Sequence, residues 1–146
     1  YKMWRERYPL ISIEDPFEED AFDDWKQFVT ANGNAVQIVG DDLYVTNPTR
    51  IKQGIASGAT NSVLIKPNQI GTVTETLDVI KLTRDAKWKI IVSHRSGETN
   101  EFFIADFAVG VGADHVKFGA PARGERVAKY NRLSSIDAEL LMQPHS

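Results

Sequence analysis

Short apolar, β-branched runs alternate along the chain with segments of helical period. The runs are Leu10-Ile11-Ser12-Ile13, Ala35-Val36-Gln37-Ile38-Val39, Ser62-Val63-Leu64-Ile65, Lys89-Ile90-Ile91-Val92 and Asp114-His115-Val116-Lys117-Phe118. The first four are mostly apolar rather than strictly alternating, which predicts parallel strands buried on both faces. The fifth is more polar. Helices are predicted over 22–31, closed by Asn32-Gly33, and from Pro48 to Gly58, with Asn47 as N-cap and Pro48 at the first helical position. In that second helix Ile51 and Ile55 share a face. A third helix is predicted over 72–85, with Val73, Leu77 and Ile80 in register, and a fourth over 101–109. A fifth covers 125–132, with a further stretch near 136–142. Five strand–helix units in succession predict an α/β fold with a parallel sheet and right-handed crossovers.

The opening Tyr1-Lys2-Met3-Trp4-Arg5-Glu6-Arg7-Tyr8-Pro9 is charged and lacks an apolar centre, so it is no signal peptide. Stopped by Pro9, it reads as the end of a helix whose beginning is missing. A length of 146 residues sets an expectation of one domain. The 17 basic and 20 acidic side chains leave a net charge of −3, which argues against nucleic acid or an anionic membrane as the main partner. With no cysteine there is no disulfide, thiolate nucleophile or cysteine metal site, which suits a reducing compartment. No apolar run reaches the roughly 20 residues of a membrane span.

Chemistry gathers where the strands end. Glu14-Asp15 follows the first run, Asp41-Asp42 the second, Lys66 the third and His94-Arg95-Ser96 the fourth, while Lys117 lies near the end of the fifth. Glu14, Asp41, Lys66, His94 and Lys117 lie about 25 residues apart, one strand–helix unit per step. Parallel α/β folds bind ligands beyond the carboxyl ends of their strands, so this spacing predicts convergence on one face. Two carboxylates without cysteine or clustered histidine favour a hard cation such as magnesium. Lysines, an arginine and a serine suit a substrate carrying phosphate or carboxylate. A lysine near a metal and another cation can serve as a base.

Singly, each residue has a plainer role. An acid after a strand is usually a helix cap or a solvated charge, a lone histidine usually a structural hydrogen-bonder, and Ser96-Gly97-Glu98-Thr99 reads equally as a turn. Lys117 within a strand predicts a buried lysine, which is rare without a partner. The acids of Glu18-Glu19-Asp20 and Asp23-Asp24 read as a solvated cap region, and Trp25, Phe28 and Trp88 as core. Gly110-Val111-Gly112 ends a helix instead of following a strand, against a dinucleotide loop.

Five stretches together resemble the enolase (phosphopyruvate hydratase) family. They are Ser12-Ile13-Glu14-Asp15-Pro16-Phe17; Gly40-Asp41-Asp42-Leu43 with Val45-Thr46-Asn47-Pro48; Ile65-Lys66 with Asn68-Gln69-Ile70-Gly71-Thr72; Ser93-His94-Arg95-Ser96-Gly97-Glu98-Thr99; and Gly119-Ala120-Pro121 with Glu125-Arg126 and Ala128-Lys129-Tyr130-Asn131. They come in the family's order and cover almost the whole chain.

The resemblance implies that 1–146 is the last five strand–helix units of a TIM (β/α)8 barrel, lacking the first barrel strands and an N-terminal capping domain. A closed barrel takes about 250 residues. The implied activity is the Mg2+-dependent reversible dehydration of 2-phosphoglycerate to phosphoenolpyruvate, in the cytoplasm, by a homodimer. Glu14 and Asp41 would be magnesium ligands and Lys66 the base at carbon 2. Arg95 and Ser96 would hold the phosphate with His94 beside them, and Lys117 would grip the carboxylate. Metal and lysine charge stabilise the dianion formed by deprotonation next to a carboxylate.

The third metal carboxylate, the general acid and a mobile loop would lie upstream of Tyr1, so the chain alone is expected to be inactive. Pro67 and Asn100 depart from the family pattern without removing a site residue. A surface role of the plasminogen-binding kind, which the family often performs through a terminal lysine, is weakened by the ending Gln143-Pro144-His145-Ser146. A doubly wound receiver domain would suit Asp41-Asp42 and a strand-end lysine but leaves His94-Arg95-Ser96 unexplained.

Overall fold

Parallel pairing of neighbouring strands organises the chain. The structure, a computed structural model, describes residues 1–142. Two units divide the described residues, Tyr1–Ile90 and a second that begins at Ile91. The C-terminal Gln143-Pro144-His145-Ser146, read above for its missing lysine, lies outside the described residues.

The first unit opens with helix α1 (Lys2–Arg7), then strand β1 (Ser12–Glu14), α2 (Phe22–Asn32), β2 (Gln37–Gly40), α3 (Pro48–Ser57), β3 (Ser62–Ile65), a short α4 (Pro67–Ile70) and α5 (Val73–Asp85). β1 pairs with β2 and β2 with β3, both parallel, in registers Ser12↔Gln37 and Val39↔Ser62. A receiver-type order would seat β1 between β2 and β3. Here β2 holds that place, as in a barrel whose strands follow chain order.

Asn61 reinforces this register. Its side-chain oxygen accepts the Ile38 N–H at 2.8 Å, and its amide donates to the carbonyls of Gly33 and Val36. The core beneath is apolar and aromatic, with Ile38, Leu43, Tyr44, Ile51, Val63, Ile65 and Val79 all buried. Tyr44 is tilted against Trp88 and its hydroxyl meets Thr60 at 2.9 Å.

Local chemistry explains the boundaries. Asn47 caps α3, accepting from the N–H groups of Thr49 and Arg50, and Gly58 closes the helix at φ 70°. Thr72 caps α5 through the Glu75 N–H.

Four details of the first unit differ from expectation. β1 is not buried on both faces: alternation sends Ser12 and Glu14 to an open side, leaving Ile13 half-buried. The buried stripe of α5 is Thr76, Val79, Ile80 and Thr83, while Val73 and Leu77 are exposed. The two threonines tolerate burial because their hydroxyls donate to the carbonyls of Thr72 and Val79. Phe28 is half-buried, packed edge-on against Tyr1 and Phe17, whereas Trp25 and Trp88 are core as expected. α4 is additional. Pro67 supplies its first residue and Lys66, extended as a residue before proline must be, its N-cap.

Strand β4 (Lys89–Ser93) spans the boundary between the units, and α6 (Phe103–Gly110), β5 (His115–Lys117) and α7 (Gly124–Leu141) complete the second. β4 and β5 pair in parallel with Ser93 opposite Lys117. α7 is one helix where two stretches were expected, because Ser134 and Ser135 continue it; the Ser135 hydroxyl donates to Asn131 O. Arg132 of α7 forks onto Asp106 of α6, with Nη2 2.6 Å from Oδ1. Every residue of β5 is exposed, so Lys117 is not the buried lysine that its strand position suggested. That lysine is Lys129, whose side chain is wholly buried in the second unit. No helix among the described residues is long and apolar enough to cross a membrane.

Candidate active site

In the first unit, Glu14, Asp41 and Lys66 stand at or just past the ends of β1, β2 and β3. The pairing of β2 with its two neighbours therefore brings them together. Carboxylate oxygens of Glu14, Asp15 and Asp41 lie within 4.8 Å of one another. The Lys66 ammonium donates to both oxygens of the buried Asp41, each at 2.7 Å.

Asp15 was not singled out from sequence, yet it organises the cluster. Held at φ 40°, it accepts the backbone N–H groups of Asp41 and Asp42 at 2.9 and 2.8 Å. Burial, assisted by the neighbouring acids, keeps its carboxyl above the usual range despite those hydrogen bonds.

The donor set suits a hard divalent cation, being all oxygen, with no thiolate or imidazole in the cluster. Asp15 spends its oxygens on two backbone N–H groups and Asp41 its oxygens on the Lys66 ammonium, so both carboxylates are already oriented within the cluster.

The loop leaving β2 carries strain where the chemistry sits. Val45 and Thr46 occupy the left-handed region, at φ 43° and 57°, although both are β-branched. Such residues cost on the order of 1 kcal/mol each and persist only when their surroundings dictate it. Here they do: the buried Thr46 hydroxyl donates to Gln69 at 2.7 Å and accepts the Lys66 N–H at 3.0 Å. The backbone of Lys66 is thus tied to the loop that begins at Asp41.

In the second unit His94, Arg95 and Ser96 follow β4, and the His94 N–H donates to Lys117 O of β5 at 3.1 Å. This segment is gripped from α7. Arg126 Nη1 reaches His94 Nδ1 at 2.6 Å and Arg95 O at 2.9 Å, and Nη2 reaches Ser96 O at 2.8 Å. One turn on, Lys129 Nζ donates to Thr99 O and Glu101 O and pairs with Glu98 at 2.8 Å. Glu98 also accepts the Arg95 N–H at 3.0 Å.

Burial, and then the Arg126 charge, hold the His94 imidazole below its ordinary titration range. Burial pushes Glu98 up, but the Arg95 N–H and Lys129 outweigh it and hold the carboxyl below its ordinary value.

Glu98, Arg126 and Lys129 carried no assigned role in the sequence, although all lie within the family-like stretches. One signal was present: Lys129 falls seven residues before the buried Ile136, on the inward stripe of α7, where a lysine needs a partner.

The fold and the strand-end groups define the class: parallel β/α units of TIM-barrel type with an acid–lysine cluster and a cationic loop beyond the strands. Residues 1–144 match the family model described as Enolase, C-terminal TIM barrel domain. An Enolase of Mycobacteroides abscessus is 56% identical over 140 residues, covering 96% of this chain and 33% of the relative. An Enolase of Bifidobacterium animalis subsp. lactis is 54% identical over the same coverage. One of Acidothermus cellulolyticus is 56% identical over 133 residues, 91% of this chain and 31% of the relative. The chain belongs to the enolase family, and its fold is part of that family's TIM barrel. It spans about a third of the length of the curated relatives it matches.

Proposed function

We propose that the full-length protein containing this chain is a lyase that reversibly dehydrates 2-phosphoglycerate to phosphoenolpyruvate in glycolysis and gluconeogenesis, in the cytoplasm and as a homodimer. In this reading 1–146 is the C-terminal part of its barrel. The observation that carries the proposal is the buried contact of Lys66 with Asp41, set beside Glu14 and Asp15 at the ends of three adjacent parallel strands.

Lys66 takes the proton from carbon 2, and hydroxide leaves carbon 3 as water once an acid outside this chain has protonated it. Glu14 and Asp41 would hold magnesium, which when bound supplies positive charge beside the carboxylate on which negative charge accumulates. Asp15 keeps Asp41 in place through two backbone N–H groups. Arg95 and Ser96 bind the phosphate, His94 donates a hydrogen bond beside them, and Lys117, exposed at the end of β5, pairs with the carboxylate. The 146 residues alone are inactive in this reading, because the acid and a third metal carboxylate belong to the remainder of the protein.

The test is hydrogen exchange at carbon 2. In the full-length protein Lys66→Ala is expected to abolish exchange of the carbon-2 proton with solvent while magnesium-dependent substrate binding persists. Exchange at the parent rate would remove Lys66 from the base role.

A further inference from the structure

We propose that Arg126 is a positioning residue for His94, locking the imidazole as the Nε2–H tautomer and fixing the chain from His94 to Ser96. Which reaction this serves rests on the enolase reading above, whereas the tautomer does not. A guanidinium can only donate hydrogen bonds. With Arg126 Nη1 2.6 Å from His94 Nδ1, that nitrogen must accept, so the single ring proton sits on Nε2. An imidazolium would point a second N–H at the guanidinium and is excluded by the same contact.

The fork does more than set a proton. Its remaining bonds go to the carbonyls of Arg95 and Ser96, so one planar group fixes three consecutive residues. A lysine would lack the planar fork whose two nitrogens divide these acceptors between them.

Packing closes the other side of the ring. A Cβ added at Gly119 would lie 2.8 Å from His94 Cε1 and 3.2 Å from Arg126 Cδ, and Gly119 itself holds φ 77°. The imidazole thus lies close against the backbone of Gly119, where any larger residue would displace it. One turn along the same helix as Arg126, Lys129 ties α7 to the following residues at Glu98, Thr99 and Glu101. The charged groups around His94 are Arg126, Glu98, Lys129 and Lys117, and burial with the Arg126 charge holds its pKa below the ordinary value. With Nδ1 accepting from Arg126, the group His94 offers to substrate is its Nε2–H.

Nitrogen NMR of the full-length protein labelled in histidine reads this directly at neutral pH, with His94→Gln assigning the signal by its disappearance. The expected pattern is an unprotonated Nδ1 and a protonated Nε2. A protonated Nδ1, or an imidazolium, overturns the proposal. In Arg126→Ala the two nitrogen shifts are expected to converge and kcat to fall by about a hundredfold, with partial recovery on adding guanidinium ion. Unchanged shifts in that variant overturn the proposal. A protein with the expected tautomer but no dehydratase activity would overturn the functional reading alone.

Discussion

Lys129 and Glu98 form an ion pair at 2.8 Å in which the lysine side chain is entirely shielded from solvent. The ammonium also donates to Thr99 O and Glu101 O, so all three of its donors are used. It is a fastener for the segment that carries Arg95 and Ser96.

Replacing it leaves an acid and two carbonyls without their cation. Lys129→Met is expected to lower unfolding stability by about 3 kcal/mol, read as a lower urea midpoint with an unchanged slope. The double variant with Glu98→Gln should cost less than the sum of the single changes, because the stranded charge is gone.

Asp15 fixes, through the backbone, the Asp41 that is proposed to hold magnesium. Asp15→Ala removes the acceptors of the Asp41 and Asp42 N–H groups. Magnesium affinity of the full-length protein is expected to drop by about 10- to 100-fold, measured by titration calorimetry. Asp15→Asn, which keeps one acceptor oxygen, should fall between the parent and the alanine variant.

Gly54 faces the Tyr44 hydroxyl so closely that a Cβ there would lie 2.1 Å from it. Although alanine is favoured over glycine in a helix by about 1 kcal/mol, Gly54→Ala is expected to destabilise by roughly 1–3 kcal/mol through overpacking. Thermal melting checks the sign, and adding Tyr44→Phe, which removes the hydroxyl in the way, should recover part of the loss.

Acid should weaken the second unit in two stages. His94 titrates below its ordinary value of 6.5 and Glu98 below 4.5, so both groups stabilise fully above those values. As pH falls below 6.5 the unfolded chain takes up the histidine proton first and stability declines; below 4.5 Glu98 adds a second decline. Asp15, whose carboxyl lies above its ordinary 3.8, works in the opposite direction. Melting temperature against pH should show the first arm flatten in His94→Gln and the second in Glu98→Gln.

The parallel units were legible in the sequence because β-branched runs and cap residues such as Asn47 and Gly58 report local physics. Ser62–Ile65 falls where its four-residue run predicted, while β1 was misjudged because burial depends on what covers a strand and not on its own residues. The strand-end positions of Glu14, Asp41, Lys66 and His94 follow from strand–helix spacing. The supports for them do not: Asp15 is folded back by a positive φ, Thr46 is strained against Gln69, and Arg126 comes from a helix some 30 residues away. Lys117 and Lys129 show the same limit: a place in a strand suggested a buried Lys117, whereas packing exposes it and buries Lys129.

Asn61 lies just before β3, at the end of the strand opposite Lys66, and has no chemical task of its own. By bonding the Ile38 N–H and the Gly33 and Val36 carbonyls, it writes the stagger of β2 against β3 into a side chain as well as the backbone ladder. In barrels, stagger sets strand tilt and radius together. A single amide at the opposite end of the strand thus helps determine how far apart Asp41 and Lys66 emerge.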